Sequence, residues 1–226
     1  FSLLPTGVVL FILTRPLTDR SAALLGIALN AGLYLFPAAF LTGVCLVFFH
    51  AVMFNRCWTR RTDLVFLITF MLSGGLAYLM RLMLTGNRYW AQWGGGFLSF
   101  DQIVPNVLVV LQDLFWESRS WNTLNPGLPY LDTAMTGFVI IGVGSALMSS
   151  RSRLPLLERR WVWVSILSVL GSIALSALAG VYPGARRIFP SMLLLYLIAG
   201  FGFDCLWRLA MFRPVLVSAV AVCFGL

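Results

Sequence analysis

The sequence predicts an all-α membrane protein: a polytopic transmembrane helix bundle of about 6–8 membrane helices, some of them short or broken. Three observations support this class. Hydrophobic residues make up 60% of the chain and charged residues 11%, whereas the surface of a soluble domain needs roughly 25% charged residues. Mean hydropathy is +0.90. Helix-length apolar segments alternate with short turns that carry arginine.

The first third of the chain predicts short and interrupted helices. Residues 1–13 are apolar but fewer than the roughly 20 residues that span a bilayer. The run 21–54 is too long for one helix, and Gly32 and Pro37 interrupt it, so two helices are expected at about 21–35 and 36–54. Residues 64–80 form the next predicted span, in which Ser73-Gly74-Gly75 indicates a kink or a close helix approach.

The last third predicts further spans at 133–148, 161–182 and 188–207, with another beginning at 215. Asp204 precedes Arg208 by one helical turn, which favours a local ion pair over an ion pathway. His50 is the only histidine and lies near the end of an apolar helix. We expect it to be packed or interfacial rather than to handle protons.

Residues 81–132 form the only long polar interval. Apolar positions in 103–116 recur with helical spacing, which predicts an amphipathic helix lying on the outer membrane interface. Trp90, Trp93 and Trp121 suit either an interfacial aromatic belt or the lining of an outer, sugar-stacking cleft. The three glycines at 94–96 are not preceded by a predicted strand and are not followed by Lys-Ser/Thr, so they do not indicate a phosphate-binding loop.

Arginine supplies all 16 basic residues, and its distribution predicts the orientation. Four arginine clusters fall on one side when crossings are counted, which predicts an integral membrane protein with these clusters on the cytoplasmic side and 81–132 on the outer side. Arg186 and Arg187 fall on the outer side, where they would contact lipid headgroups or clamp a phosphate. The net charge of +8 does not indicate nucleic acid, because the arginines cluster at segment ends.

The cofactor complement of this chain is not specified by its sequence. One histidine and four cysteines without CxxC spacing make a haem or zinc site improbable on spacing alone, and no nucleotide site is evident. The chain begins at Phe1 rather than Met, and apolar runs lie at both ends. We therefore expect residues 1–226 to be a single integral-membrane domain excerpted from a longer protein.

Three stretches carry a resemblance to a known family: GIALNAGLYLFPAAFL (26–41), NPGLPYLDTAMTGFVIIGVG (125–144) and GVYPGARRIFPSMLLLYLIAGFG (180–202). In this order they resemble the middle and C-terminal part of bacterial GT-C glycosyltransferases related to protein O-mannosyltransferases. The resemblance implies transfer of a sugar from a polyprenyl-phosphate carrier to an acceptor on the outer face. It implies a bacterial cytoplasmic (inner) membrane protein with 81–132 on the periplasmic side. It also implies membrane lipids and the lipid-linked sugar as partners, and it allows a divalent metal.

The same resemblance assigns roles to individual residues. Arg186 and Arg187 match the family's late-loop basic site and are the expected lipid-phosphate binders. The family's catalytic carboxylate is expected before Phe1, which leaves Asp101 as a weak candidate here and Asp132 as a structural residue of a turn. The alternative is a non-catalytic transmembrane subunit of a larger membrane complex. A transporter is less favoured, because few polar residues lie within the spans and no inverted repeat is evident.

Overall fold

The computed structural model describes residues 3–35, 37–78, 80, 100–116, 131–148, 156–178, 189–210 and 218. Within these residues the chain is helical and contains no strand, so the predicted all-α class is confirmed for this part. Its α-helices are α1 (Leu3–Leu13), α2 (Asp19–Leu35), α3 (Pro37–Met53), α4 (Arg60–Phe70), α5 (Phe100–Phe115), α6 (Thr133–Met148), α7 (Leu156–Leu178) and α8 (Met192–Ala210). Short 3-10 turns occur at Asn55–Cys57 and Phe189–Ser191.

The predicted break in the run 21–54 is confirmed. Helix α2 ends at Leu35 and α3 begins at Pro37, where proline is tolerated because the first helical N–H has no partner within the helix. A Cβ on Gly32 would lie 3.3 Å from the backbone nitrogen of Phe40. Glycine therefore lets the end of α2 pass close to the start of α3.

Helix α4 begins earlier than predicted because its N-terminus is capped. Thr59 and Thr62 form a reciprocal capping box, with the Thr62 amide donating to Thr59 Oγ1 at 3.2 Å. After Phe70 the chain continues through Met71–Gly75, where the helix is kinked at Gly74, which has φ 138°. The predicted kink at Ser73-Gly74-Gly75 is thus confirmed.

Helix termini that carry arginine meet at one end of the bundle. Asp19 and Arg61 form an ion pair of 2.7 Å that joins the starts of α2 and α4. The Arg160 guanidinium lies over the Phe54 ring at 5.7 Å, which joins the start of α7 to the chain just after α3. Glu158 interacts electrostatically with Arg208 at the end of α8. We call this the basic end; its described arginines are Arg15, Arg20, Arg56, Arg60, Arg61, Arg159, Arg160 and Arg208.

The direction of α6 differs from the one implied by counting crossings. If the predicted spans crossed the membrane in strictly alternating directions, the helices at 133–148 and 188–207 would run in the same direction. In the structure the Phe138 ring lies 5.6 Å from Phe203, whereas Gly142 lies against the Ile198 carbonyl. Helices α6 and α8 therefore run in opposite directions where they cross, and these contacts do not support the predicted direction of α6.

Helix length and composition identify the described helices that are candidates for membrane insertion. Among the described residues, one helical stretch, Phe189–Arg208, is both long and apolar enough to cross a membrane. Shorter apolar helices occupy Leu3–Leu13, Ala38–Met53, Gln102–Phe115 and Thr133–Met148.

Candidate functional site

Most of the predicted site residues lie outside the described part of the chain. These are the arginine pair Arg186 and Arg187 and the tryptophans Trp90, Trp93 and Trp121. Asp101 belongs to α5, but its side chain is also outside the description. What can be described is the scaffold to which those residues are attached.

Helix α5, which belongs to the polar interval 81–132, packs on the C-terminal end of α7. Asn106 Nδ2 donates a hydrogen bond of 3.1 Å to the Ala177 carbonyl, one of the last carbonyls of α7, which have no partner within the helix. The C-terminal end of α7 is the end opposite its arginine-bearing start. Part of the polar interval and the entry to residues 179–188, which include Arg186 and Arg187, therefore share the end opposite the basic end.

The predicted amphipathic helix 103–116 corresponds to α5, which begins three residues earlier and contains Pro105. One side of α5 is packed into the protein through the fully buried Val110 and Leu114. Another side leaves Val104 and Leu108 exposed. Helix α5 is thus docked onto the bundle, and its position at a membrane interface stays a prediction.

Asp113 is a residue that the sequence reasoning passed over. It is only 1% exposed on α5 and takes part in an interaction within the protein, as a buried carboxylate must if its burial is not to be very costly. Asn106, Val110 and Asp113 are spaced at i, i+4 and i+7, so they share one face of the helix. The sequence feature that could have identified Asp113 is the recurrence of polar residues on one face of an otherwise apolar helix.

Asp132 has the structural role that its place in the turn predicts. Its Oδ1 accepts a hydrogen bond of 2.7 Å from the backbone N–H of Met135, so Asp132 caps the start of α6. The preceding residue, Leu131, donates its N–H to the Leu114 carbonyl at 3.0 Å. The end of α5 and the start of α6 are therefore held together.

Two substitutions of Asp132 test its capping role. Asp132→Asn keeps an oxygen that can cap the helix, so we expect a free energy of unfolding close to that of the wild type. Asp132→Ala removes the cap and should cost about 1 kcal/mol. Denaturant titration in detergent micelles measures both values, and equal stabilities of the two variants would contradict the capping role.

A seam of hydroxyl groups joins α3, α7 and the 3-10 turn before α8. Thr42 Oγ1 lies 3.1 Å from Ser191 Oγ and 3.3 Å from Ser172 Oγ. The Ser172 hydroxyl donates a hydrogen bond of 2.8 Å to the Ser168 carbonyl. In apolar surroundings such hydroxyl pairs hold helices together. The seam fixes the relative position of three elements near the C-terminal half of α7.

His50 is packed at the basic end, as the sequence predicts. Its side chain is buried, and its ring stacks on Phe54 at 4.7 Å and lies 5.2 Å from Trp161. Trp58 Nε1 donates a hydrogen bond of 3.1 Å to His50 Nδ1. Because Nδ1 accepts, the imidazole is neutral with its proton on Nε2. His50 is thus part of an aromatic cluster that joins α3 to α7.

The described residues contain no group of three His, Cys, Asp or Glu side chains that could hold a metal ion. Comparisons with protein-family models, with curated proteins and with solved structures gave no match for this chain.

Proposed function

We propose that this chain is a polytopic membrane protein that moves a sugar from a polyprenyl-phosphate carrier to an acceptor. The transfer takes place at the end of the bundle opposite the basic end. The observation that supports the proposal is the separation of the two ends. The arginine-bearing termini of α2, α3, α4, α7 and α8 meet at one end, and α5 is attached to the other through Asn106 and Ala177.

Exposed apolar side chains support insertion of several helices. Large hydrophobic residues are more than 45% exposed on most of the helices: Leu4, Phe11, Leu24, Ile27, Phe48, Leu64, Leu67, Leu108, Ile140, Leu147, Leu170 and Phe203. In α7 the charged residues are confined to the first turns, Glu158 to Arg160. Helices shorter than roughly 20 residues are compatible with this arrangement where neighbouring helices surround them.

The proposed chemistry uses the arginine pair as an anion clamp. As the bond between the sugar C1 and the carrier phosphate oxygen breaks, negative charge builds up on the departing polyprenyl phosphate. The guanidinium groups of Arg186 and Arg187 would hold that phosphate by paired N–H···O bonds. The acceptor hydroxyl oxygen forms the new bond to C1 from the opposite face, and its proton passes to a carboxylate.

The proposal is tested by assaying transfer directly. The full-length protein would be purified, reconstituted in liposomes and given a panel of radiolabelled polyprenyl-phosphate sugars together with a membrane extract as acceptor source. We expect one carrier to be consumed with formation of a labelled product. A folded, correctly oriented protein that consumes none of them would instead favour a non-catalytic subunit of a membrane complex.

The orientation is tested with cysteines at the two ends. Cys57 is exposed at the basic end, so in a variant that keeps it as the only cysteine we expect labelling by a membrane-impermeant maleimide in inverted vesicles and not in intact spheroplasts. A cysteine introduced by Ala185→Cys in a Cys57→Ser background should show the reverse pattern. Labelling of both cysteines from the same side would contradict the proposed topology.

A further inference from the structure

The turn between α1 and α2 contains two arginines that no carboxylate neutralises in the described part of the chain. Arg15 and Arg20 are both exposed, and the ion pairs among the described residues involve neither of them. The carboxylate of this turn, Asp19, is paired with Arg61 of α4 at 2.7 Å. The turn therefore presents two guanidinium groups that can bind an anion.

The backbone of this turn is held by hydrogen bonds at both helix ends. The Thr18 N–H donates to Ser21 Oγ at 2.6 Å, and the Ser21 N–H donates to Thr18 Oγ1 at 3.3 Å, which is a reciprocal capping arrangement at the start of α2. At the end of α1, the Thr14 hydroxyl donates to the Phe11 carbonyl at 2.8 Å. The two arginines are therefore attached to a backbone that is ordered before any ligand binds.

A stripe of exposed apolar side chains leads along α1 to the first of these arginines. Leu4, Val8 and Phe11 are 66%, 40% and 57% exposed, and their spacing of four and three residues places them on one face of the helix. The Arg15 guanidinium lies over the Phe11 ring, 4.3 Å from its centre. The cationic group and the apolar stripe are thus adjacent.

The same arrangement is repeated on α2. Leu24 and Ile27 follow Arg20 at spacings of four and three residues, and both are exposed. A Cβ on Gly32 would lie 3.6 Å from Pro5 Cβ, so the end of α2 lies beside the start of α1 and the two helices run antiparallel. We call residues 3–35 the α1–α2 hairpin; both of its apolar stripes begin at the arginine-bearing turn.

The length of α1 matches one leaflet of a bilayer. Its 11 residues rise about 16 Å, and half of a hydrocarbon core of roughly 30 Å is about 15 Å. A phospholipid presents a phosphate at its headgroup and an acyl chain that extends through one leaflet. Helix α1 is complementary to both parts, whereas a partner helix that covered the stripes through apolar contacts alone would leave both arginines without an anion.

We propose that the α1–α2 hairpin binds an anionic phospholipid, with Arg15 and Arg20 on the headgroup phosphate and an acyl chain along Leu4, Val8 and Phe11. Each guanidinium can pair with two phosphate oxygens at once. A zwitterionic headgroup binds less well, because its amine carries a positive charge that the arginines repel. The site rests on the proposed insertion into a membrane and not on sugar transfer.

The test uses the full-length protein in phosphatidylcholine nanodiscs that contain a small fraction of a photoactivatable lipid. Two such lipids are compared, phosphatidylglycerol and phosphatidylcholine, each with the same diazirine on an acyl chain. After illumination, the lipid attached to residues 3–35 is quantified by mass spectrometry of the digested protein. The ratio of the two lipids measures the preference of the hairpin for an anionic headgroup.

One arginine near an anionic headgroup contributes a factor of roughly five. We therefore expect a preference for phosphatidylglycerol of about 25-fold in the wild type and roughly fivefold in Arg15→Gln or Arg20→Gln. Arg15→Lys should keep most of the preference, because it keeps the charge. The control is Arg208→Gln, which should stay at the wild-type ratio, because Arg208 is already paired with Asp204 at 2.8 Å.

The possible failures are distinguishable. Equal labelling by the two lipids, in wild-type protein that has entered the nanodiscs, would overturn the lipid site and leave the insertion intact. A loss in Arg208→Gln as large as that in Arg15→Gln would also overturn it, because the preference would then follow the total charge of the basic end. A protein that does not enter phosphatidylcholine nanodiscs contradicts the membrane insertion, and the lipid site with it.

Discussion

Replacing Arg186 and Arg187 together by alanine should lower the rate of sugar transfer by at least about 100-fold, if the proposed clamp is correct. The physical reason is that charge builds up on the carrier phosphate as its bond to the sugar breaks, and removing a single preorganised donor commonly costs that much. The measurement is the initial rate of product formation by the full-length protein in liposomes, at saturating carrier.

A matched double variant at the basic end distinguishes the clamp from a general effect of lost charge. Arg56 and Arg60 are both exposed and form no ion pair within the described residues. Arg56→Ala with Arg60→Ala removes the same number of charges at the opposite end, so we expect transfer near the wild-type rate. Lysine at 186 and 187 should restore part of the activity, because it keeps the charge but not the paired donor geometry. Full activity of the alanine pair would contradict the clamp.

The second large effect concerns the crossing of α6 and α8. A Cβ on Gly202 would overlap the Phe138 carbonyl oxygen and lie 2.8 Å from the Gly142 nitrogen. Both neighbours are backbone atoms of α6, so a side-chain rotation cannot relieve the overlap. We expect Gly202→Ala to lower the free energy of unfolding by about 3 kcal/mol, measured by denaturant titration in mixed micelles.

Gly200 provides the control for this variant on the same helix. Nothing lies within 4 Å of a Cβ placed there, so Gly200→Ala should be neutral or stabilising by up to about 1 kcal/mol through helix propensity. If the two alanine variants unfold at the same denaturant concentration, the helices do not cross as closely as described.

Features that depend on neighbouring residues in the sequence were predictable. Proline and glycine predicted the break between α2 and α3, and the Ser-Gly-Gly run predicted the irregularity in α4. The pairing of Asp204 with Arg208 is confirmed at 2.8 Å, because residues one turn apart on a helix are neighbours whatever the tertiary structure. The spacing in 103–116 likewise predicted α5 within a few residues of its bounds.

Features that depend on partners far along the chain were not predictable. Asn30 lies within a predicted helix, and nothing in its local sequence indicates that Phe70 and Ser73 accept hydrogen bonds from it. The direction of α6 was derived from strict alternation, which takes no account of the glycines that bring α6 and α8 together. The proposed site was inferred from the resemblance, and its arginine pair lies outside the described residues.

The hydroxyl seam also bears on the order in which the protein is assembled. A ribosome completes α3 long before it has made the partners of Thr42, which are separated from it by 130 and 149 residues. The early helices are therefore made with this side chain still lacking its final bonds. Closure of the bundle has to await translation of the last third of the chain, so the biosynthetic intermediate is a partly open set of helices.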